Sequence, residues 1–302
     1  MPAIKNVAVA GASGNIGEPV VEALLAAGFH VTALARESSS ATFPPGVDVK
    51  RVDYDSVESL KSALQDQDAV VSTITPTLLS KQVQIIDAAI AAGVRRFIPS
   101  EYGINTRTVD HDGLKAMVGP KIQTVDYLIE KSKGTPSLSW TGLATGLFLD
   151  WGLARGFIGF DQTTKSARII DSGNERFFTA NVPFIGKAVA AILTHPEETA
   201  NKYLTIASFT TTQNEILKLI ERETGEKWTK TSVTSAELNR TGYEKLSKGD
   251  FMAAADFLLA FNFGDGGNHA VEPKDLANDL LEIGSEELAV TVKAWLGPGG
   301  KL

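Results

Sequence analysis

The chain has 302 residues, of which 43% are hydrophobic and 22% charged, and its formal net charge is −7. These values are typical of a globular protein with a large core, and the acidic balance argues against a nucleic-acid-binding surface. The chain has no cysteine, its four histidines are scattered and it has no long apolar run, so we expect a cytoplasmic protein without disulfides, metal site or membrane span.

The first predicted element is a strand, because Ile4 to Ala10 is a short apolar run rich in β-branched residues. Gly11, Gly14 and Gly17 follow it, and an apolar helical pattern comes after them. This order is typical of dinucleotide binding: the first glycine permits a tight turn, the second lets the backbone approach a pyrophosphate, and the third allows close helix–strand packing. The alternative is an ordinary strand–helix turn. We predict phosphate contacts from the residues of this loop, namely Gly11, Ser13, Gly14, Asn15, Ile16 and Gly17.

The second predicted strand, His30–Ala35, is followed by Arg36. In such folds an acidic residue near this point binds the ribose hydroxyls of NAD, whereas arginine suits the 2′-phosphate of NADP, because a planar guanidinium pairs with phosphate. Glu37 would repel a phosphate if it faced inward, and the alternative is a solvated Arg–Glu pair on a loop. We predict NADPH as the cofactor, with Arg36 at its 2′-phosphate.

Strands and helices continue to alternate along the first half of the chain. Asp55 and Glu58 have capping-box spacing and predict a short helix toward Leu64. Further strands are predicted at Val47–Val52, Ala69–Thr73, Arg96–Ile98 and Ser137–Thr141, and further helices at Leu79–Ala92 and within Lys115–Lys133. The alternation predicts an α/β protein with a Rossmann-type, doubly wound parallel sheet, whose ligand crevice lies at the carboxyl ends of the strands.

Beyond Thr145 the alternation loosens and aromatic residues cluster, which core packing explains for most of them. The segments 176–195 and 203–206 are predicted to return to the sheet, and 212–223 and 235–261 to be helical. We therefore predict an NADP-binding Rossmann domain in residues 1–150 with a return segment at 176–206. A smaller α/β domain, mainly in residues 151–302, would bind the substrate.

Five motifs occur in a fixed order: Gly11–Gly17, Ala35–Ser38, Ser72–Thr73, Leu79–Gln82 and Arg96–Gly103. Together they resemble the isoflavone reductase-like branch of the NmrA-like, atypical short-chain dehydrogenases, which includes phenylcoumaran benzylic ether and pinoresinol–lariciresinol reductases. The likeness is strong through Phe148 and lies mainly in layout beyond it. It implies a Rossmann domain, NADPH, and one catalytic lysine on the helix after the Pro-Ser-Glu-Tyr-Gly loop.

Two lysines of that helix compete for the catalytic role. Tyr127 and Lys131 have the Tyr-x-x-x-Lys spacing of ordinary short-chain dehydrogenases. Lys131, however, lies at the end of the helix that faces away from the crevice, because the helix runs antiparallel to the strands. Lys121 lies nearly three turns earlier, toward the crevice, and matches the catalytic lysine that the resemblance implies. The alternative for Lys121 is a solvated surface charge, and Pro120 before it departs from a regular helix.

Other candidates follow the ends of the predicted strands. We expect further cofactor contacts from residues at the nicotinamide end of the crevice: Ser72, Thr73, Ile74, Lys121, Thr145, Gly146 and Phe148. We expect substrate contacts from aromatic and polar residues near the same rim: Tyr102, His111, Phe148 and Trp151. The alternatives are folding of the loop for Tyr102 and a solvated side chain for His111.

These features favour an NADPH-dependent reductase of a small, largely apolar, aromatic or polyketide-like substrate. Hydride would come from nicotinamide C4 and Lys121 would handle a proton. The alternative is an NmrA-like sensor that binds NADP(H) and a protein partner without turnover. Such a sensor needs the glycine turn but not the lysine, so Lys121 and the aromatic-rich second half favour the enzyme. We expect a monomer or a homodimer.

Overall fold

The computed structural model describes residues 3–297. Its strands, in chain order, are β1 (Asn6–Ala10), β2 (His30–Arg36), β3 (Val47–Val52), β4 (Ala69–Ser72), β5 (Arg96–Ile98), β6 (Ser139–Ala144), β7 (Leu147–Phe148), β8 (Phe160–Asp161), β9 (Ser166–Ile170), β10 (Phe177–Ala180), β11 (Lys202–Thr205), β12 (Phe209–Thr211) and β13 (Thr229–Val233). Its α-helices are α1 (Gly17–Ala26), α2 (Val57–Ala63), α3 (Gln82–Ala91), α4 (Asp112–Gly134), α5 (Leu149–Ala154), α6 (Val182–Thr194), α7 (Gln213–Thr224), α8 (Ser235–Leu246), α9 (Ala253–Phe263) and α10 (Leu288–Leu296). Short 3-10 helices cover Pro76–Lys81 and Pro273–Asp275. Within residues 3–297, no helix is both long enough and apolar enough to cross a membrane.

Seven strands form one parallel sheet in the order β11-β6-β5-β4-β1-β2-β3. Successive strands move outward from β1 in one direction through β2 and β3, and in the other through β4, β5, β6 and β11. The order therefore reverses between β1 and β4, and ligands of such sheets bind at the carboxyl ends of the strands beside this point. The predicted Rossmann-type α/β fold is confirmed.

The sheet is buried on both faces, because its strands alternate side chains between two cores. In β1, Val7 and Val9 pack into the core shared with α1 and α6, whereas Ala8 and Ala10 pack into the core shared with α2, α3 and α4. The helices α1 and α6 lie very close together, since a Cβ at Gly186 would come within 2.8 Å of the Pro19 carbonyl carbon. This packing fixes the start of α1 against the sheet.

The second half of the chain adds two three-stranded sheets, β12-β10-β7 and β13-β9-β8. They share a third core with α7, α9 and α10, in which the rings of Phe177 and Phe263 meet edge-on at 4.7 Å. The prediction that 176–206 returns to the main sheet is right for β11 and wrong for β10, which pairs with β7 and β12. The division of the chain at residue 150 stays a prediction, and residues 298–302 lie outside the described part.

Two other local predictions need correction. The cap of α2 is Ser56, whose hydroxyl accepts from the Ser59 amide, so Asp55 and Glu58 do not form the predicted box. The predicted helix 235–261 is two helices, because the chain turns between α8 and α9 at Gly249, whose φ of +70° favours glycine.

Candidate active site

A cleft of about 430 Å³ opens at the carboxyl ends of β1, β2 and β4. Its wall includes six of the residues predicted to bind the cofactor: Gly11, Ser13, Gly14, Arg36, Thr73 and Ile74. The helix α1 begins beside it, and Ile16 at its N-cap makes no side-chain capping bond. Amides of a first helical turn without a capping side chain, together with the positive end of the helix dipole, make an anion site.

The three glycines of the loop have different surroundings. Gly11 has φ +82°, and a Cβ there would lie 2.7 Å from the Thr73 carbonyl oxygen, so both the turn and the approach to β4 require glycine. A Cβ at Gly17 would collide with the Gly11 carbonyl and lie 2.7 Å from the Ala12 carbonyl carbon. A Cβ at Gly14 would come no closer than 3.2 Å to described atoms, so packing constrains Gly14 far less.

Arg36 lies at the end of β2 with an exposed side chain. The loop behind it is held by Arg51, which donates to the carbonyls of Arg36 at 3.1 Å and Ser39 at 2.5 Å. The cleft continues past Arg36 into a smaller hollow of about 310 Å³, where Lys81 is paired with Asp55. The lining of this hollow thus includes the two cations Arg36 and Lys81, of which Lys81 is already neutralised, together with the acidic residues Glu37, Asp53 and Asp55.

Tyr54 also lines the cleft and was not predicted from the sequence. Its hydroxyl donates to the Leu34 carbonyl at 2.9 Å, and burial raises its pKa to about 12. Ser72, which was predicted to contact the cofactor, is completely buried in β4 and does not reach the cleft. Thr73 forms the wall instead, and both its amide and its hydroxyl donate to the Ala10 carbonyl.

Lys121 lies within α4, which continues through Pro120. Its half-buried ammonium donates to the carbonyl of Glu101 at 2.9 Å and to that of Tyr102 at 3.3 Å, and within residues 3–297 these are its only hydrogen bonds. Burial lowers the pKa of Lys121, and the negative charge of Glu101 opposes this. An ammonium has three donors, so one remains for a bound molecule.

The loop that holds Lys121 also holds the chain after β6. The Gly103 carbonyl accepts from the amides of Thr145 at 2.9 Å and Gly146 at 3.0 Å. Gly146 has φ +63°, and a Cβ there would lie 2.8 Å from the Phe178 carbonyl carbon. On the other side, the Ser100 hydroxyl donates to the carbonyl of Ile74 in the cleft wall at 3.0 Å. The predicted nicotinamide end of the cleft is therefore one hydrogen-bonded unit around residues 100–103.

A buried carboxylate lies beneath this unit. Glu101 is fully buried, and one of its carboxylate oxygens accepts from Thr106 Oγ1 at 2.5 Å and from the Tyr203 hydroxyl at 2.7 Å. Tyr203 reaches it across β6 because Gly142 is a glycine, since a Cβ there would lie 2.5 Å from the tyrosine ring. Sequence reasoning missed Tyr203, although an isolated glycine within a strand is a signal that something approaches closely.

Tyr102 and Phe148 were predicted to contact the substrate. Tyr102 packs into the core between the sheet, α1 and α6 and is only 6% exposed, and Phe148 packs half-buried against the same core. The Tyr102 hydroxyl is buried and has no hydrogen-bond partner within residues 3–297. Burial also raises the pKa of Tyr102, so the phenol is neutral. Phe148 is therefore the more accessible of the two.

His111 and Trp151 have partners of their own. His111 caps α4, because its Nδ1 accepts from the Leu114 amide at 3.2 Å, while its Nε2 lies 2.8 Å from Asn239 Oδ1. Both ring nitrogens are thus engaged within the protein, and the expected substrate contact of His111 stays a prediction. The Trp151 ring contacts Phe157 edge-on and lies under the Arg155 guanidinium. Both partners are its neighbours along the chain, and neither belongs to the hydrogen-bonded unit around residues 100–103.

An apolar wall flanks Lys121 on α4. Met117, Val118 and Ile122 are partly buried and pack against the core that α4 shares with α8 and α9. Phe261 of α9 packs half-buried against the same core, and His269 stacks on its ring at 3.5 Å between centroids. These four apolar side chains are only partly buried, so part of their apolar surface remains accessible.

Lys131, the competing lysine, is engaged elsewhere. Its ammonium lies 4.9 Å above the Tyr127 ring, and the Tyr127 hydroxyl donates to Asp87 of α3 at 2.6 Å. Lys131 belongs to the last turns of α4, where a cation is stabilised by the helix dipole. The Tyr127–Lys131 pair thus has a structural explanation that needs no substrate.

The NmrA-like family model matches residues 3–257 of the chain. The oxidoreductase aprR of Aspergillus flavus is 36% identical over 283 residues, which are 92% of this chain and 94% of that protein. An isoflavone reductase homolog of Solanum tuberosum is 30% identical over 281 residues, which are 87% of this chain and 88% of that protein. Among solved structures, AtPrR2 with NADP+ and (+)pinoresinol superposes with a TM-score of 0.82 at 22% identity over 98% of this chain and 100% of that one.

Proposed function

Since the chain belongs to the NmrA-like family, we propose that it is an NADPH-dependent reductase of a small, largely apolar molecule. One observation carries the proposal: a half-buried lysine and a glycine-rich phosphate loop lie at the carboxyl ends of the same parallel sheet, joined through Ile74 and Ser100. A regulator that only binds the nucleotide would need the loop and not the lysine.

The residues of the cleft fit NADPH. The start of α1 lacks a side-chain cap and Gly14 leaves room above the loop, which suits a pyrophosphate. At the far end, Arg36 is an exposed guanidinium where an acidic residue would otherwise select NAD. Bound there, NADPH would supply a hydride.

Lys121 would hold and deliver the proton that reduction requires. Its ammonium is fixed by two carbonyls, and its remaining donor can hydrogen-bond to an oxygen of the substrate. The wall formed by Met117, Val118 and Phe261 would bind the apolar body of that substrate, for which an aromatic or polyketide-like ring system is the best match.

The test is a panel of aromatic ketones, enones and benzylic ethers mixed with the protein and NADPH. We expect the absorbance of the reduced nicotinamide to fall with at least one of them, and far more slowly when NADH replaces NADPH. Binding of NADPH without turnover of any panel member would favour the sensor alternative. Failure to bind either nucleotide in fluorescence titration would contradict both.

A further inference from the structure

The strongest unassigned feature is the buried carboxylate of Glu101. One of its oxygens accepts from Thr106 and Tyr203, whereas the other is buried and has no hydrogen-bond partner within residues 3–297. The Tyr203 hydroxyl is fixed in turn, because it accepts from the Thr106 amide at 3.3 Å. Burying a carboxylate in this way costs free energy unless a cation compensates its charge.

Lys121 is the cation beside it. Its ammonium is bonded to the backbone carbonyl of Glu101 itself, so the residue that carries the negative charge also positions the lysine. Burial favours loss of the proton from Lys121, and the charge of Glu101 favours its retention. These two effects decide whether the lysine is protonated when a substrate arrives.

Several charged side chains on α4 and on the elements packed against it are paired with neighbours other than Lys121. Lys81 pairs with Asp55, Asp256 with Lys245, Arg240 with Glu244 and Asp126 of α4 itself with Arg107, and Asp87 accepts from the Tyr127 hydroxyl. Within residues 3–297, the charge that acts on Lys121 is that of Glu101.

We propose that Glu101 is a positioning residue that keeps Lys121 protonated and fixed between two carbonyls, and that Tyr203 and Thr106 hold Glu101 in place for this purpose. The proposal rests on the proposed function in giving Lys121 a proton to deliver. The protonation of Lys121 can be measured directly, so the role of Glu101 can be tested without turnover.

The test is the pH titration of the Lys121 ε-methylene signal by NMR in protein labelled with ε-¹³C-lysine, assigned with Lys121→Arg. Glu101→Gln should lower the pKa of Lys121, because it removes the negative charge that favours retention of the proton, and Lys121 should bind its proton about tenfold more weakly. Tyr203→Phe should shift it in the same direction by less, because the Glu101 carboxylate is then fixed by Thr106 alone and is less firmly placed beside Lys121. Once a substrate is known, the limb of the kcat–pH profile that Lys121 controls should shift by the same amount as the NMR titration. The Kd for NADPH should stay unchanged.

Asp126→Asn is the matched control, since it removes an exposed carboxylate from the same helix, and it should leave the Lys121 titration unchanged. An unchanged titration in folded Glu101→Gln would overturn the proposal. If that variant does not fold, an unchanged titration in Tyr203→Phe, which keeps the ring, would overturn it. If the wild-type protein turns over no substrate, the proposed function fails while the titration still decides the role of Glu101.

Discussion

Replacing Gly17 and Gly14 of the glycine-rich loop by alanine separates the requirements of folding from those of cofactor binding. In Gly17→Ala the new Cβ would collide with the Gly11 carbonyl and lie 2.7 Å from the Ala12 carbonyl carbon, and both obstacles are backbone. Overpacking lowers the free energy of unfolding by about 1–3 kcal/mol, and by more where the neighbouring atoms cannot move. We therefore expect Gly17→Ala to lower it by about 3 kcal/mol. For a chain of this size, that lowers the melting temperature by about 6–12 °C.

Gly14→Ala should behave differently. Its Cβ would come no closer than 3.2 Å to the Gly11 carbonyl oxygen, and Gly14 is absent from the residues with positive φ. The steric cost is small and is offset by about 0.4–1 kcal/mol from the lower entropy of the unfolded chain. The methyl group would, however, stand where the pyrophosphate approaches, so NADPH affinity should fall at least tenfold, or about 1.4 kcal/mol.

Thermal melting and nicotinamide fluorescence titration of the two variants give the answer. We expect Gly14→Ala to melt within about 2 °C of the wild type and to bind NADPH weakly. Equal melting temperatures for Gly14→Ala and Gly17→Ala would refute the steric reasoning. Wild-type NADPH affinity in Gly14→Ala would show that the phosphates do not approach this glycine.

Three further predictions address other parts of the chain. Lys121→Ala should reduce turnover about 10²–10⁴-fold in the NADPH oxidation assay while NADPH affinity falls far less, and Lys131→Ala, the matched control, should retain activity. Arg36→Ala should weaken NADPH binding by about 1.5–3 kcal/mol in titration and leave NADH binding unchanged, and equal losses for both would contradict the 2′-phosphate assignment. Burial acts to raise the pKa of Asp68, but hydrogen bonds from Asn6, Arg95 and Lys5 lower it overall, so its stabilising effect is present near neutral pH and lost as the pH falls through its native value. Asp68→Asn should therefore cost about 1–2 kcal/mol in denaturant unfolding at pH 7, and the difference from the wild type should shrink below about pH 4.

The sequence predicted well what local pattern determines. The strands β2, β3 and β5 lie where they were predicted, with β2 one residue longer, and the loop around Gly11 follows from glycine spacing, because both depend on neighbours along the chain. The preference for Lys121 over Lys131 as a candidate also came from local information, namely the direction of one helix. In the structure the two lysines do differ in surroundings as that reasoning expects.

The sequence predicted poorly what depends on distant segments. Glu101 and Tyr203 are 102 positions apart and meet only because β11 joins the sheet beside β6, which no periodicity in either segment indicates. The strands that pair with β10 could not be predicted either, because its apolar pattern suits a strand in any buried sheet. The contact of His111 with Asn239 could not be predicted either, because the two residues are 128 positions apart, whereas its cap bond to Leu114 is local.

The main sheet is completed out of chain order, and this affects how the protein is made. The edge strand β11 ends at Thr205, roughly 60 residues after its neighbour β6 ends at Ala144. At about 5–20 residues per second, a ribosome needs about 3–12 s to synthesise the intervening segment, and for that time the edge of β6 has no partner. All residues of β6 are buried in the finished protein, so this edge is an apolar template for pairing with other chains. The nascent chain is therefore most exposed to misassembly in that interval. The interval ends only when β11, the last strand of the sheet, leaves the ribosome.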